Sequence, residues 1–132
     1  MAKESAVQEA SRQGKFYSVG EEMKVSRIED MEGGWFIGDF EPSILKTPGF
    51  EVGYKLHKKG EEWPAHYHTG SEYNFLMSGK MRICGQILTT GDLFVIDPYE
   101  VADPEFLEDC QVIVVKVPSM PGDKFIVEKE RI

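Results

Sequence analysis

The stretch that most constrains the fold runs from Gly60 to Gly79, GEEWPAHYHTGSEYNFLMSG. It holds two of the chain's three histidines, His66 and His68, with Glu72 four residues after the second. Side chains in an extended strand alternate between faces, so residues at i and i+2 point the same way, roughly 7 Å apart along the backbone. Two neutral imidazoles on one face make half of a metal site. A carboxylate returned by a short turn completes a triad, and Thr69, Gly70 and Ser71 are suited to that turn. His66, His68 and Glu72 therefore read as a two-histidine, one-carboxylate set, the ligand type that suits iron, manganese, nickel or zinc. A single histidine is more often a surface or satisfied core residue, and an H-x-H pair alone is a weak pattern. The glycines around it supply the weight.

With Gly60 and Gly79 included, the segment reads G-x5-H-x-H-x3-E-x6-G. It resembles, residue for residue, the first sequence motif of the cupin superfamily. The resemblance implies an all-β, double-stranded β-helix (jelly-roll) barrel and a divalent metal held by His66, His68 and Glu72. It also implies a small-molecule ligand: a carbohydrate, a nucleotide-sugar or a small organic acid. Isomerisation, epimerisation and dioxygenation are all open, because this fold hosts many chemistries. The tail Val115-Lys116-Val117-Pro118-Ser119, followed by Pro121-Gly122-Asp123-Lys124, is similar to stretches of cupins linked to sugar metabolism.

Cupins usually carry a second motif, G-x5-P-x-G-x2-H-x3-N, whose histidine supplies a fourth ligand. Here Gly91 and Pro98 match with one extra residue between them. Glu100 then stands for the second glycine, Asp103 for the histidine and Leu107 for the asparagine. Three alternatives follow. Asp103 is a fourth, hard ligand in a two-histidine, two-carboxylate site; or Asp103 turns away and leaves three ligands with open positions; or no metal binds and the triad serves as acid–base groups. Loss of a metal ligand also admits a non-catalytic, ligand-binding or accessory module.

Strand periodicity reaches the same fold class independently. Short alternating or apolar runs cover Phe16–Val19, Met23–Ile28, Trp35–Phe40, Phe50–His57, Glu72–Met77, Met81–Cys84, Gln86–Leu88, Leu93–Ile96, Gln111–Val117 and Phe125–Val127. Turn residues separate them, and no amphipathic helix competes, which predicts a β-sandwich or barrel. Residues 1–14 are polar and expected to form a flexible tail, and 15–132 a single domain. In the strand from Phe50 to His57, the apolar set Phe50, Val52, Tyr54 and Leu56 is assigned to the core, and His57 to the surface with Glu51 and Lys55. Tyr54, Asn74 and Lys116 are pocket candidates. Asn74 shares Glu72's strand parity, and Lys116 interrupts an apolar strand. Trp63 and Tyr67 flank the motif as rim candidates.

Net charge decides some partners. At −8, the chain lacks the basic face that phosphate neutralisation or an anionic membrane needs, so neither nucleic acid nor membrane is expected. No apolar leader precedes the polar first residues and no membrane-length apolar run exists, which predicts a cytoplasmic protein. Cys84 and Cys110 are accordingly expected to be reduced, buried thiols. Trp35, Phe36, Ile37 and Phe40 put apolar groups on both faces of one strand. With the pairing habits of cupins, this predicts a homodimer.

Overall fold

The computed structural model describes Gly20 and residues 22–128. The expected tail over residues 1–14 and the strand Phe16–Val19 lie outside them. Eleven strands are seen among the described residues: β1 (Trp35–Gly38), β2 (Leu45–Lys46), β3 (Glu51–His57), β4 (His66–Tyr67), β5 (Ser71–Ser78), β6 (Lys80–Ile83), β7 (Gln86–Thr89), β8 (Leu93–Ile96), β9 (Glu105–Phe106), β10 (Cys110–Val117) and β11 (Phe125–Ile126). Met23–Ile28 is not a strand; that segment runs irregularly into a short 3-10 turn at Ile28–Asp30.

The strands form a six-stranded sheet in the order β2-β1-β3-β10-β5-β8, a three-stranded sheet β7-β6-β9 and a two-stranded sheet β11-β4. β10 lies at the centre of the large sheet, antiparallel to β3 on one side and β5 on the other. Its run Val112-Ile113-Val114-Val115 is β-branched throughout, which suits a strand with neighbours on both edges. Isolated bridges Glu62↔Glu105 and His66↔Ala102 tie the smaller sheets into one wall. Leu76, Met81, Ile83, Ile96, Phe106, Cys110, Val112 and Val114 are the main buried core, contributed from both sides.

The facing of β3 is the reverse of the sequence expectation. Glu51 and Gly53 are buried, and Lys55 and His57 point the same way, whereas Leu56 is 52% exposed. Strand parity was read correctly but the two faces were exchanged, because the inner face of this sheet borders a partly polar cavity. Along β5, Glu72, Asn74 and Leu76 face inward and Tyr73, Phe75 and Met77 face out, so Asn74 lies on the side of Glu72 as its parity predicts. The thiols also divide. Cys110 is buried and Cys84 exposed, and both are free.

No helix of the described residues is long and apolar enough to cross a membrane.

Candidate functional site

A cavity of about 310 Å³ opens between the sheets. His66, His68, Glu72, Asn74 and Lys116 all line it. β4 and the turn after it deliver the histidines, β5 delivers Glu72 and Asn74 at i and i+2, and β10 delivers Lys116, which pairs in register with Glu72.

The two imidazoles are buried, with ring centroids 5.1 Å apart and nearly perpendicular planes. Nδ1 of His66 lies 2.8 Å from the carbonyl oxygen of Pro64. A carbonyl only accepts, so Nδ1 carries the proton and Nε2 keeps a lone pair. Burial, reinforced by the Lys124 and Lys116 charges, holds the His66 pKa below the ordinary histidine value, against the pull of the Pro64 carbonyl. Burial does the same more strongly to His68, aided by Lys116 and His66, bringing it to about 4. Both rings are therefore neutral at neutral pH.

Nδ1 of His68 is buried and has no hydrogen-bond partner. Oε2 of Glu72 lies 3.3 Å from it, without the alignment of a hydrogen bond. Burial raises the Glu72 pKa, although the Lys116 charge and the Asn74 amide oppose it. An unsatisfied buried nitrogen costs about 1–3 kcal/mol, so a native site of this kind calls for an explanation. Two neutral imidazoles, one with an orphaned nitrogen, beside a half-buried carboxylate fit a divalent cation in donor chemistry. Among the described residues, no three His, Cys, Asp or Glu side chains are already gathered into a ligand cage.

Asp103 does not join them. It is exposed, and its carboxylate accepts a hydrogen bond of 3.1 Å from the backbone N–H of Cys84. The residue that faces the cavity is Ala102, which is 1% exposed. Ala102 and His66 exchange both backbone hydrogen bonds, at 2.8 and 3.0 Å, so their side chains stand side by side. One residue further along, Asp103 must point to the opposite face. Matching Pro98 had introduced a one-residue gap. Without it, the second motif's spacing from Gly91 puts Asp97 at the proline, Tyr99 at the glycine and Ala102 at the histidine. Tyr99 has φ +65°, the left-handed conformation a glycine would take there. That agreement supports the ungapped register. The position that the second motif gives to its histidine is thus an alanine.

Other expectations need relocating. Tyr54 sits on the outer side of β3, away from this cavity, and borders a separate shallow groove. His57, assigned to the surface, lines the cavity, where it stacks on Phe106 at 4.0 Å and contacts the Glu61 carboxylate. Trp63 also lines the cavity and donates to Glu61 at 2.7 Å. Trp35, Lys55 and Lys124 also line the cavity, where the sequence had not placed them. The parity of Lys55 with Glu51 and His57 was the available signal for one of them.

No protein-family model matches the chain, and no curated protein matches it. Solved structures do. An uncharacterised Klebsiella pneumoniae protein with a double-stranded β-helix domain superposes with a TM-score of 0.60 at 20% identity, covering 86% of this chain and 100% of that one. A Ralstonia eutropha protein of unknown function with a cupin-like fold gives 0.53 at 16%, covering 70% and 60%. Oxalate decarboxylase from Bacillus subtilis, an enzyme with Mn(II) centres, gives 0.55 at 16%, covering 61% of this chain and 24% of the enzyme. The chain therefore spans about a quarter of that enzyme's length. Identities this low speak to architecture alone. Sheet order, cavity and these superpositions agree: the chain has the double-stranded β-helix fold of the cupins.

Proposed function

We propose that the chain binds a small molecule in the cavity beside a divalent metal held by His66, His68 and Glu72. The observation that carries this reading is the buried, unpartnered Nδ1 of His68 next to Glu72. The Pro64 carbonyl adds support by fixing the His66 tautomer, as an outer hydrogen bond does for a metal-ligating histidine. A bound divalent ion would supply a Lewis acid for an oxygen of the ligand, a requirement common to isomerase, epimerase and oxygenase chemistry. The cavity volume lies at the small end of the range for ligand pockets. That favours a single sugar or a small organic acid over a nucleotide-sugar. A second reading, a binding or accessory module without turnover, is favoured by Ala102 at the fourth ligand position.

The test is metal loading. Protein purified, stripped with a chelator and reloaded should retain close to one equivalent of manganese, iron, nickel or zinc after dialysis. It should also melt higher than the stripped form, since a ligand that binds only the native state stabilises it. Absence of retention for all four ions removes the metal reading. A retained redox ion supports catalysis over a passive binding role.

We also infer a homodimer, formed through the outer face of the large sheet and not through β1 alone. Leu56, Tyr73, Phe75, Leu93, Val95 and Val117 are all exposed on that face, Leu93 at 77%. The outward residues of β3, β5, β8 and β10 include no charge, although the chain carries −8 overall. The charges that would repel a second copy thus lie elsewhere, and a contiguous apolar sheet face usually marks an interface. Light scattering should give twice the chain mass for the wild type and a single chain mass for Phe75→Glu. A monomeric wild type at high concentration rejects the dimer.

A further inference from the structure

Three lysines converge on the cavity from different parts of the chain. Lys55 comes from β3, Lys116 from β10, and Lys124 from the turn before β11. Trp35 receives two of them on its ring, Lys55 Nζ at 5.3 Å and Lys116 Nζ at 5.7 Å from the centroid. Lys124 Nζ sits 3.6 Å from the centroid of Trp63. Gly53 makes the first arrangement possible. It lies between Glu51 and Lys55 on the inner face of β3, and a Cβ there would come within 2.6 Å of the Trp35 ring. The indole occupies the space a side chain would take.

Like charges gathered in a partly desolvated space repel one another. Burial lowers the Lys55 pKa, which Glu61 opposes and Lys116 reinforces; burial, then Lys116 and Lys55, lower that of Lys124. The nearby acids match the lysines in number, but their oxygens are largely engaged elsewhere. Asp123 spends its oxygens on the N–H and hydroxyl of Thr69 and the N–H of Gly70, at 2.8 to 3.1 Å. Glu51 accepts from the Met120 N–H at 3.3 Å and lies 3.9 Å from Lys116 Nζ. Glu72 is turned toward His68. Lys55 donates one bond, to the Gly33 carbonyl at 2.6 Å, and Lys116 makes a long contact of 3.5 Å with the Asp123 carbonyl. An ammonium has three N–H donors, so donors remain. Among the described residues neither Lys55 nor Lys124 has a carboxylate within ion-pair distance. Three ammonium groups with spare donors, turned into one cavity, suit a negatively charged guest.

We propose that the cavity's ligand is an anion, with carboxylate or phosphate oxygens taken by Nζ of Lys55, Lys116 and Lys124 between the Trp35 and Trp63 rings. This rests on the cavity being the ligand site, but not on the metal. Charge-assisted hydrogen bonds of this kind are roughly twice as strong as neutral ones, and each lysine adds attraction at longer range.

The experiment is calorimetric titration of malonate, citrate and inorganic phosphate, with glucose as a neutral probe. It is run on chelator-stripped and metal-loaded protein at low salt. At least one anion should bind both forms, with glucose much weaker. Lys55→Met and Lys124→Met should each weaken that anion by about tenfold or more, and Lys124→Arg should preserve most of the affinity. Lys58→Met, an exposed lysine paired with Asp109, should change nothing. Circular dichroism and metal content are recorded for every variant, so a folding defect is separated from a lost contact. A dominant malonate or citrate response identifies a carboxylate ligand, and a dominant phosphate response a phosphorylated one. Binding that needs the loaded metal and ignores both lysine substitutions overturns the proposal, as does glucose matching every anion. If the metal is retained and no anion binds, the anion proposal falls and the metal reading stands. If no metal is held yet anions bind through the lysines, the reverse is true.

Discussion

Replacing His66 by alanine is expected to abolish metal retention and erase the thermal stabilisation that metal loading gives the wild type. With the three donors proposed above, losing one leaves an imidazole and a carboxylate, too few to hold a labile divalent ion through dialysis. Removing even an outer-sphere partner commonly costs 10–100-fold in metal affinity, so a direct ligand should cost about a hundredfold or more. At a metal concentration of about a hundred times Kd, wild-type stabilisation is about 2.7 kcal/mol. A hundredfold weaker site would retain about 0.4 kcal/mol of that. His57→Ala is the informative control, since His57 borders the same cavity but is engaged by Glu61 and Phe106. It should lose packing and keep the metal. Equal metal content in wild type and His66→Ala would remove the assignment.

The interior of this molecule shows what a pattern of residues can and cannot convey. The Gly60–Gly79 segment conveyed the architecture through its resemblance to the first cupin motif, and the alternating strands agreed with it. His66, His68 and Glu72 do line one cavity. Alternation along β3 was equally visible, yet it states only that the two faces differ. Which face is inside depends on what the opposite sheet presents. Here the inner face holds the buried Glu51 and sets Lys55 and His57 on a cavity, while the apolar set is turned outward. Tyr54 and His57 were exchanged for that one reason.

Lys124 was invisible for a different reason. It precedes a two-residue strand in an irregular segment, and only the tertiary path sets it on the Trp63 ring. β2, β4 and β9 have two residues each, too short for any period to register. Their positions are dictated by partners, as when β9 meets Met81 and Arg82 of β6. Asp103 illustrates a third limit. A proline is a prominent marker, but in this turn the backbone requirement falls on Tyr99, whose left-handed φ takes the place of a glycine. Its N–H donates to the His68 carbonyl at 2.8 Å, fixing the turn against the segment that carries the histidines, whatever residue type sits there.

That register leads to the second large effect, expected for Ala102→His. Ala102 is opposite His66 in a pair that exchanges both backbone hydrogen bonds, so a new imidazole would rise beside the existing one on the cavity side. The cavity gives it space, although replacing a 1%-exposed alanine by a larger residue carries an overpacking cost of about 1–3 kcal/mol. The donor set would become three histidines and one glutamate with no change in formal charge. Imidazole is a softer donor than water or carboxylate, so affinity should rise most for zinc, nickel and copper and least for manganese. A competition between zinc and manganese should move at least tenfold toward zinc in the variant. Asp103→His supplies the control. It places the same ring on the solvent side, where it should leave the zinc-to-manganese ratio as in the wild type and alter stability by under about 1 kcal/mol. A shift in the Asp103 variant with none in the Ala102 variant would restore the gapped register and make Asp103 the fourth position. An unchanged ratio in both would mean that the metal, if held, lies beyond reach of the strand that carries Ala102.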